Sequence, residues 1–262
     1  MGEPILFLRL EGPLQSWGSR ARWDIRDTQR APTKSGVVGL LGCALGLPMR
    51  NSRLEELDSG LRYGVRVEEP GHVLEDYHTV TGFLPTAGGG WRHSGVAVGT
   101  NLQRLKDDPN VEPATIVSRR SYIEDAAFLV GLAERPGHTG LLERCREALA
   151  DPVWPMFLGR KACIPTRPVL DELTDRYVSL ELALADPVDG HPWSHRGVRK
   201  PLRDIRRRAG VISAFVEVDP GSSGPGLHVR PEATKTNAMR QFGFITVKDL
   251  WIDVPETKGA EQ

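Results

Sequence analysis

Only three cysteines, Cys43, Cys145 and Cys163, occur in 262 residues, far apart and with no CxxC among them. That argues against a disulfide framework or a zinc site. Net charge is absent as well. Lysine plus arginine and aspartate plus glutamate both total 34, so the chain has no field to coat nucleic acid indiscriminately. Long apolar runs are missing: the N-terminal one, Ile5 to Leu8, ends at Arg9, too short for a signal peptide or a membrane span. Leu6 stands where a myristoylation signal needs serine or threonine. The expectation is a cytoplasmic protein with no membrane partner. No carboxylate cluster, P-loop or Ser/His/Asp arrangement calls for a metal or another cofactor, and none is expected. What remains is ordinary for a soluble domain, with 39% hydrophobic and 26% charged residues.

The informative stretch lies between Gly12 and Gly46, GPLQSWGSRARWDIRDTQRAPTKSGVVGLLGCALG. A short strand, Ile5 to Leu10, ends in a Gly-Pro turn, and the loop beyond it carries Trp17, Arg20, Arg22, Trp23, Arg26 and Arg30. The loop runs through Thr33, Lys34 and Ser35 into a helix from about Ser35 to Leu45, capped by Thr33 or Ser35 and stopped by Gly46 and Pro48. Gly36, Gly39 and Gly42 recur every third residue along one side of it. Each interior glycine costs about 0.5–1 kcal/mol relative to alanine, so a strand or an RNA backbone is expected against that side. Aromatic faces, guanidiniums and a helix N-terminus together suit a sugar-phosphate chain with unstacked bases. Arg196 to Arg208 is a second basic run, seven cations against Asp204, but it lacks aromatics and reads as a solvated face.

Further along, Leu61 to Val67 alternates and is followed across a Glu-Glu-Pro-Gly turn by a strand at about Val73 to Thr81, which predicts a hairpin. The stretch from Gly82 to Thr115, with its triple glycine 88–90, predicts an extended arm. Ile116 to Leu132 is strand-like, and a helix from about Gly140 to Ala150, capped by Thr139, places Cys145 on its apolar face. This order predicts an α+β, ferredoxin-like βαββαβ domain. From Val178 short strands follow, beginning with Val178 to Leu184, which predicts a smaller β-rich part.

GPLQSWG, a following R-x-T and PTKSGVVGLLGCALG resemble the N-terminal signature of the Cas-five family of type I-E CRISPR Cascade, in the RAMP superfamily. DYHTVTG at Asp76 to Gly82, SYIEDAAFLV, GRKACIP at Gly159 to Pro165 and, more loosely, RQFGF near Arg240 agree in the same order. The resemblance implies a ferredoxin-like (RRM/RAMP-type) domain over 1–177, with an inserted β-hairpin thumb at about 82–115, and a small C-terminal β-rich part over 178–262. It implies a non-catalytic, crRNA-binding role in antiviral defence: holding the crRNA 5′ handle and capping the backbone filament. The implied partners are the crRNA, the backbone subunit CasC, the large subunit CasA, and target DNA through the assembled complex.

The expected RNA contacts are Gln15, Trp17, Gly18, Arg20, Arg26, Arg30, Thr33, Lys34, Ser35, Gly36, Arg119, Arg120 and Tyr122. Arg160 and Lys161 join them through the resemblance. Trp17 and Trp23 either stack on splayed bases or plug the core beneath the loop. The arginines either meet phosphates and bases or pair with Asp24 and Asp27. Lys34 beside the Ser35 and Gly36 amides forms a phosphate seat. Arg119, Arg120 and Tyr122 read RNA from a sheet face or guard an edge strand. The alternative function is a metal-independent endoribonuclease that processes precursor crRNA, with Tyr77 and His78, and Lys106 beside them, as acid–base candidates.

Overall fold

The computed structural model describes residues 2–18, 25–49, 51–86, 89–93, 96–98, 101–108, 111–186, 211–219, 221–235 and 240–253. In chain order the strands and helices are β1 (Ile5–Glu11), β2 (Leu14–Gln15), β3 (Ile25–Arg26), α1 (Lys34–Ala44), α2 (Ser52–Gly60) and β4 (Leu61–Glu69). Next come β5 (His72–Gly82), β6 (Leu84–Pro85), β7 (Trp91–His93), β8 (Val96–Val98), α3 (Leu102–Asp107), β9 (Ala114–Glu124) and β10 (Ala127–Glu134). The chain continues through α4 (Leu141–Ala150), β11 (Leu170–Thr174), α5 (Leu180–Ala185), β12 (Val211–Glu217), β13 (Leu227–Lys235) and β14 (Arg240–Asp253).

Two compact units divide these elements. The larger takes the described residues of Met1–Arg20, Asp27–Leu74 and Tyr122–Gln262, the smaller those of Ala21–Arg26 and Glu75–Ser121. The larger is built on a seven-stranded sheet ordered β11-β1-β10-β4-β12-β14-β13. Every neighbouring pair in it is antiparallel. All seven residues of β1 are buried, because both its faces are covered. Leu6, Leu8 and Leu10 enter a core with Val37 and Leu41 of α1 and Leu142 and Cys145 of α4. Ile5 and Phe7 enter a second core with Leu180, Ala183 and Leu184 of α5.

That second core overturns the strand expected over Val178 to Leu184. Ser179 Oγ accepts from the Leu182 amide, and the apolar residues Leu180, Ala183 and Leu184 then fall on one helical face. Burying each leucine contributes about 1.5–3 kcal/mol. Differences of intrinsic propensity are only tenths of that, so packing decides for helix.

The α1 helix follows its signals closely. Thr33 Oγ1 accepts from Gly36 N at 3.2 Å. At the other end Gly46 takes φ 66°, and the Leu47 amide reaches back to the Gly42 carbonyl at 2.8 Å, a Schellman closure. Thr139 does not cap α4: Gly140 is the cap residue, with φ 78°, and Glu134 Oε1 accepts from Leu142 N at 2.9 Å instead. The hairpin expected of 61–67 and 73–81 is also not formed, since β4 pairs with β10 and β12 while β5 pairs with β9. A tight turn at Glu-Glu-Pro-Gly favoured local pairing, but β4 buries its alternating residues better between two strands of the large sheet.

In the smaller unit the arm of 82–115 contains β6, β7 and β8, joined as a three-stranded sheet, and α3. Around it, β9 pairs with β5 and, in parallel, with β3 through Ile25↔Arg119 and Arg26↔Arg120.

The cysteines are all free. Burial pushes the Cys145 thiol up to about 12 and raises Cys163 and Cys43 too. Cys43 is the one half-exposed member. Iodoacetamide in mildly alkaline buffer is therefore expected to label Cys43 first, with Cys145 and Cys163 following only as the chain opens. Equal labelling of the three in the native protein, read by peptide mass, would contradict the packing.

Candidate nucleic-acid interface

β2 anchors the GPLQSWG loop by pairing with the end of β9, Leu14↔Glu124 and Gln15↔Ile123. Gln15 is fully buried; its Nε2 donates to the carbonyls of Leu10 at 3.1 Å and Ala126 at 2.8 Å, and its Oε1 accepts from Trp17 Nε1 at 3.0 Å. Trp17 is 1% exposed. Its amide donates to Thr28 Oγ1 at 2.9 Å and its carbonyl accepts from Gln29 N at 2.8 Å. Of the two roles open to Trp17, the structure takes the core plug, and Gln15 holds it there rather than facing a ligand. A Cβ on Gly36 would lie 2.8 Å from the Trp17 ring, and one on Gly42 would strike Leu54. The side of α1 expected to meet a strand or an RNA backbone thus meets side chains of its own fold. Gly18 remains exposed, close to the Asp27 carbonyl.

At the start of α1, Thr33 and Ser35 are buried. Lys34 is also buried, at 6% exposure, and its Nζ donates to Glu217 Oε1 at 2.9 Å. Arg135 Nη2 approaches the same oxygen at 3.1 Å and its Nη1 pairs with Asp219. The anion that Lys34 meets is therefore the chain's own carboxylate. Lys34, expected to seat a phosphate, is committed to Glu217. Sequence reasoning missed Glu217 and Arg135; the one trace of the former is an acid at the end of the apolar run ISAFVE.

GRKACIP packs directly on the loop. Leu158 O accepts from Ser16 N at 3.0 Å, and Leu158 N donates to Cys163 O at 2.7 Å, closing a turn over Gly159 to Ala162. Gly159 has φ 101°, and a Cβ there would overlap the Ser16 carbonyl. Only glycine combines that dihedral with so close an approach. Thr166 N then donates to the Glu11 carbonyl at 2.9 Å. On this turn the Arg160 guanidinium lies 4.7 Å from the centre of the Tyr122 ring, while its Nη2 donates to the Asp27 carbonyl at 3.3 Å. Lys161 and Arg30 are exposed on the neighbouring stretches. On β1, Arg9 donates to Glu11 at 3.0 Å. Burial, then Arg167, lowers Arg9 to about 10, so it stays charged at neutral pH.

The smaller unit holds the remaining described candidates. Arg26 and Arg119 are exposed, Arg119 at 3.9 Å from Glu75, and half-buried Arg120 donates to Ser118 Oγ at 3.1 Å. Tyr77 and Lys106 are exposed, and His78 Nδ1 lies 3.4 Å from Asp76 Oδ2. Tyr122, expected to work with Arg119 and Arg120, belongs to the larger unit with Arg160. Arg20, Arg22, Trp23, Asp24 and the 196–208 run lie outside the described residues. Among the described residues no group of three or more His, Cys, Asp or Glu is placed to hold a metal ion, and no helix is long and apolar enough to cross a membrane.

A family model described as CRISPR-associated protein (Cas_Cas5) matches residues 5–254. The CRISPR system Cascade subunit CasD of Escherichia coli strain K12 is 33% identical over 166 residues, which is 63% of this chain and 68% of that protein. Among solved structures, a chain of a CRISPR RNA-guided surveillance complex matches with TM-score 0.64 and 27% identity, covering 96% of this chain and 91% of the other. A crystal structure of a Cas protein matches with TM-score 0.53 and 27% identity, over 97% of this chain and 100% of the other. The match runs from β1 into the C-terminal strands and takes in the GPLQSWG loop, α1 and GRKACIP alike: the chain belongs to the Cas5 family of CRISPR-associated proteins.

Proposed function

We propose that the chain is a non-catalytic, crRNA-binding subunit of a type I-E Cascade, working in the cytoplasm. In this reading it holds the 5′ handle of the crRNA and caps the backbone filament. It contacts the backbone subunit CasC and the large subunit CasA, and meets target DNA only through the assembled complex. One observation carries it: the GPLQSWG loop, Asp27 to Arg30 just after it, and the distant GRKACIP are locked together by hydrogen bonds. They leave Arg30 and Lys161 exposed and Arg160 held in place. Local cations on a rigid support bind a phosphate chain without any net charge on the protein. The near-full-length likeness to a chain of an RNA-guided complex supports the same reading.

The ferredoxin-like RAMP fold belongs to this proposal. Elements β1, α1, β4, β10, α4 and β11 follow the βαββαβ order, and the sheet order β11-β1-β10-β4 is the one such a unit requires. The thumb, about 82–115, then falls within the Glu75–Ser121 stretch of the smaller unit, which lies between β4 and β10 in the chain. The β-rich part, 178–262, contributes β12, β14 and β13 beyond β4.

Fluorescence anisotropy with RNA carrying the repeat-derived 5′ end of the cognate crRNA tests this. Arg30→Ala and Lys161→Ala are each expected to weaken binding and lower the salt slope by about 0.7, the single-strand value for one phosphate contact. Lys34→Ala is expected to leave the slope unchanged, because its charge is spent on Glu217. Failure of the wild-type chain to bind, or a discrete cut of repeat RNA in EDTA, would overturn the proposal. The cut would favour the endoribonuclease.

A further inference from the structure

Two prolines, Pro152 and Pro155, bracket a pair of exposed apolar side chains, Val153 and Trp154. Their backbone is pinned to α1: Val153 N donates to the Ala44 carbonyl at 2.9 Å, and the Cys43 thiol to the Pro155 carbonyl at 3.3 Å. Val153 covers Gly46, its Cγ1 lying 2.8 Å from where a Cβ would stand. Beyond Gly46 the chain turns at Pro48, whose carbonyl accepts from Asn51 N, and presents Met49 at 82% exposure. Leu45 and Leu47, on either side of Gly46, line a cleft of about 210 Å³ up to its open mouth. Leu57 of α2 with Leu141 and Cys145 of α4 complete the floor, and Arg53, Glu56 and Arg144 ring the mouth. Arg144 pairs with Glu56 at 2.8 Å. Exposed Arg53 has no carboxylate partner among the described residues, so the rim carries a net positive charge.

We infer that this surface docks another protein of the assembly through an apolar side chain with a carboxylate close beside it. The apolar group enters the cleft and the acid meets Arg53. The inference rests on the assembly reading above and adds the place and chemistry of one protein contact. Methionine, tryptophan and arginine around an apolar floor with a charged rim are the composition of an interface. Exposed apolar groups rimmed by charge mark such sites, and these are held by prolines and hydrogen bonds, so little freedom is left to lose on binding. An RNA strand would use Arg53 but not a floor of leucines, which makes protein the better occupant.

Replacing Met49 by the photo-crosslinker p-benzoylphenylalanine tests this in the complex reconstituted from this chain, its crRNA, CasC and CasA. An unchanged melting curve checks that so exposed a substitution leaves the fold intact. Irradiation is expected to join it to one protein subunit, at a peptide with an apolar residue within one helical turn of Asp or Glu. Met49→Glu is expected to weaken that subunit's binding about tenfold, as loss of an interface anchor does. Arg53→Glu should weaken it about fivefold, and more at low salt. Both variants should bind the 5′-end RNA as wild type does. A crosslink to RNA, a crosslinked peptide without an acid, or no crosslink in an assembled complex would overturn the inference. So would Met49→Glu and Arg53→Glu proteins that assemble with wild-type affinity. If the wild-type chain does not enter the complex at all, the assembly reading falls and takes the inference with it, an outcome distinct from the others.

Discussion

Arg66→Ala is expected to destabilise the larger unit by about 3–5 kcal/mol, a large part of the 5–15 kcal/mol that a domain typically holds. Arg66 sits in the middle of the sheet on β4 at 1% exposure. Its Nε donates to Glu68 Oε1 at 2.6 Å, and its Nη1 donates to the carbonyls of Leu184 at 3.0 Å and Asp186 at 2.7 Å. One guanidinium thus neutralises a buried carboxylate and also caps the C-terminal end of α5. Alanine would take the Arg66 cation from buried Glu68 and remove the donor shared by two carbonyls. The double variant Arg66→Met, Glu68→Leu removes both charges, and apolar replacements of buried pairs are often near neutral. It should recover much of the loss while still lacking the α5 cap. Urea unfolding midpoints of the three proteins decide the matter: a single variant within about 0.5 kcal/mol of wild type, as for a surface site, would show that the pair does not hold the sheet to α5.

Trp17→Ala carries the second large effect, about 3–5 kcal/mol for emptying a fully packed aromatic site. The consequence reaches further than a cavity, since the indole and its backbone tie Gln15, Thr28, Gln29 and the first turn of α1 together. RNA affinity is expected to fall as well, measured well below both melting temperatures, because the main-chain bridge from residue 17 to Thr28 and Gln29 survives in alanine but loses the indole that packs it against Gln15 and Gly36. Trp17→Phe keeps most of the volume but not the N–H, so Gln15 Oε1 loses its donor and the cost should be smaller. Full RNA affinity in a Trp17→Ala protein that melts like wild type would mean that the loop is organised by something else.

How much of this was legible in the sequence depended on the range of the interactions. The start and stop of α1 could be read because Thr33, Gly36 and Gly46 act within one turn of the helix. β1 could be read because alternation needs no partner. The two misplaced strands are matters of distance along the chain. The expected hairpin of 61–67 with 73–81 obeyed local turn chemistry, while the pairing of β4 with β10 and β12 is set by the layered core. Val178 to Leu184 looks extended until Ile5 and Phe7 are seen to need a covering helix on their side of β1. For the candidate site, the composition of the loop showed which residue types were present but not which way they faced. Trp17 and Lys34 are turned inward by Gln15 and Glu217, whereas Arg160 is held by Tyr122 and Asp27, which sit in other parts of the chain.

The carboxylate that receives Lys34 is separated from it by 183 positions. During synthesis at about 5–20 residues per second, α1 leaves the ribosome roughly 10–40 s before its counter-ion exists. β1 waits too, since its partners are β10 and β11. The N-terminal segment must therefore pass this interval with an apolar strand unpaired and a cation uncompensated. Glu217 ends β12, the fifth of the seven strands of the large sheet to be made, and its arrival lets the first helix lock.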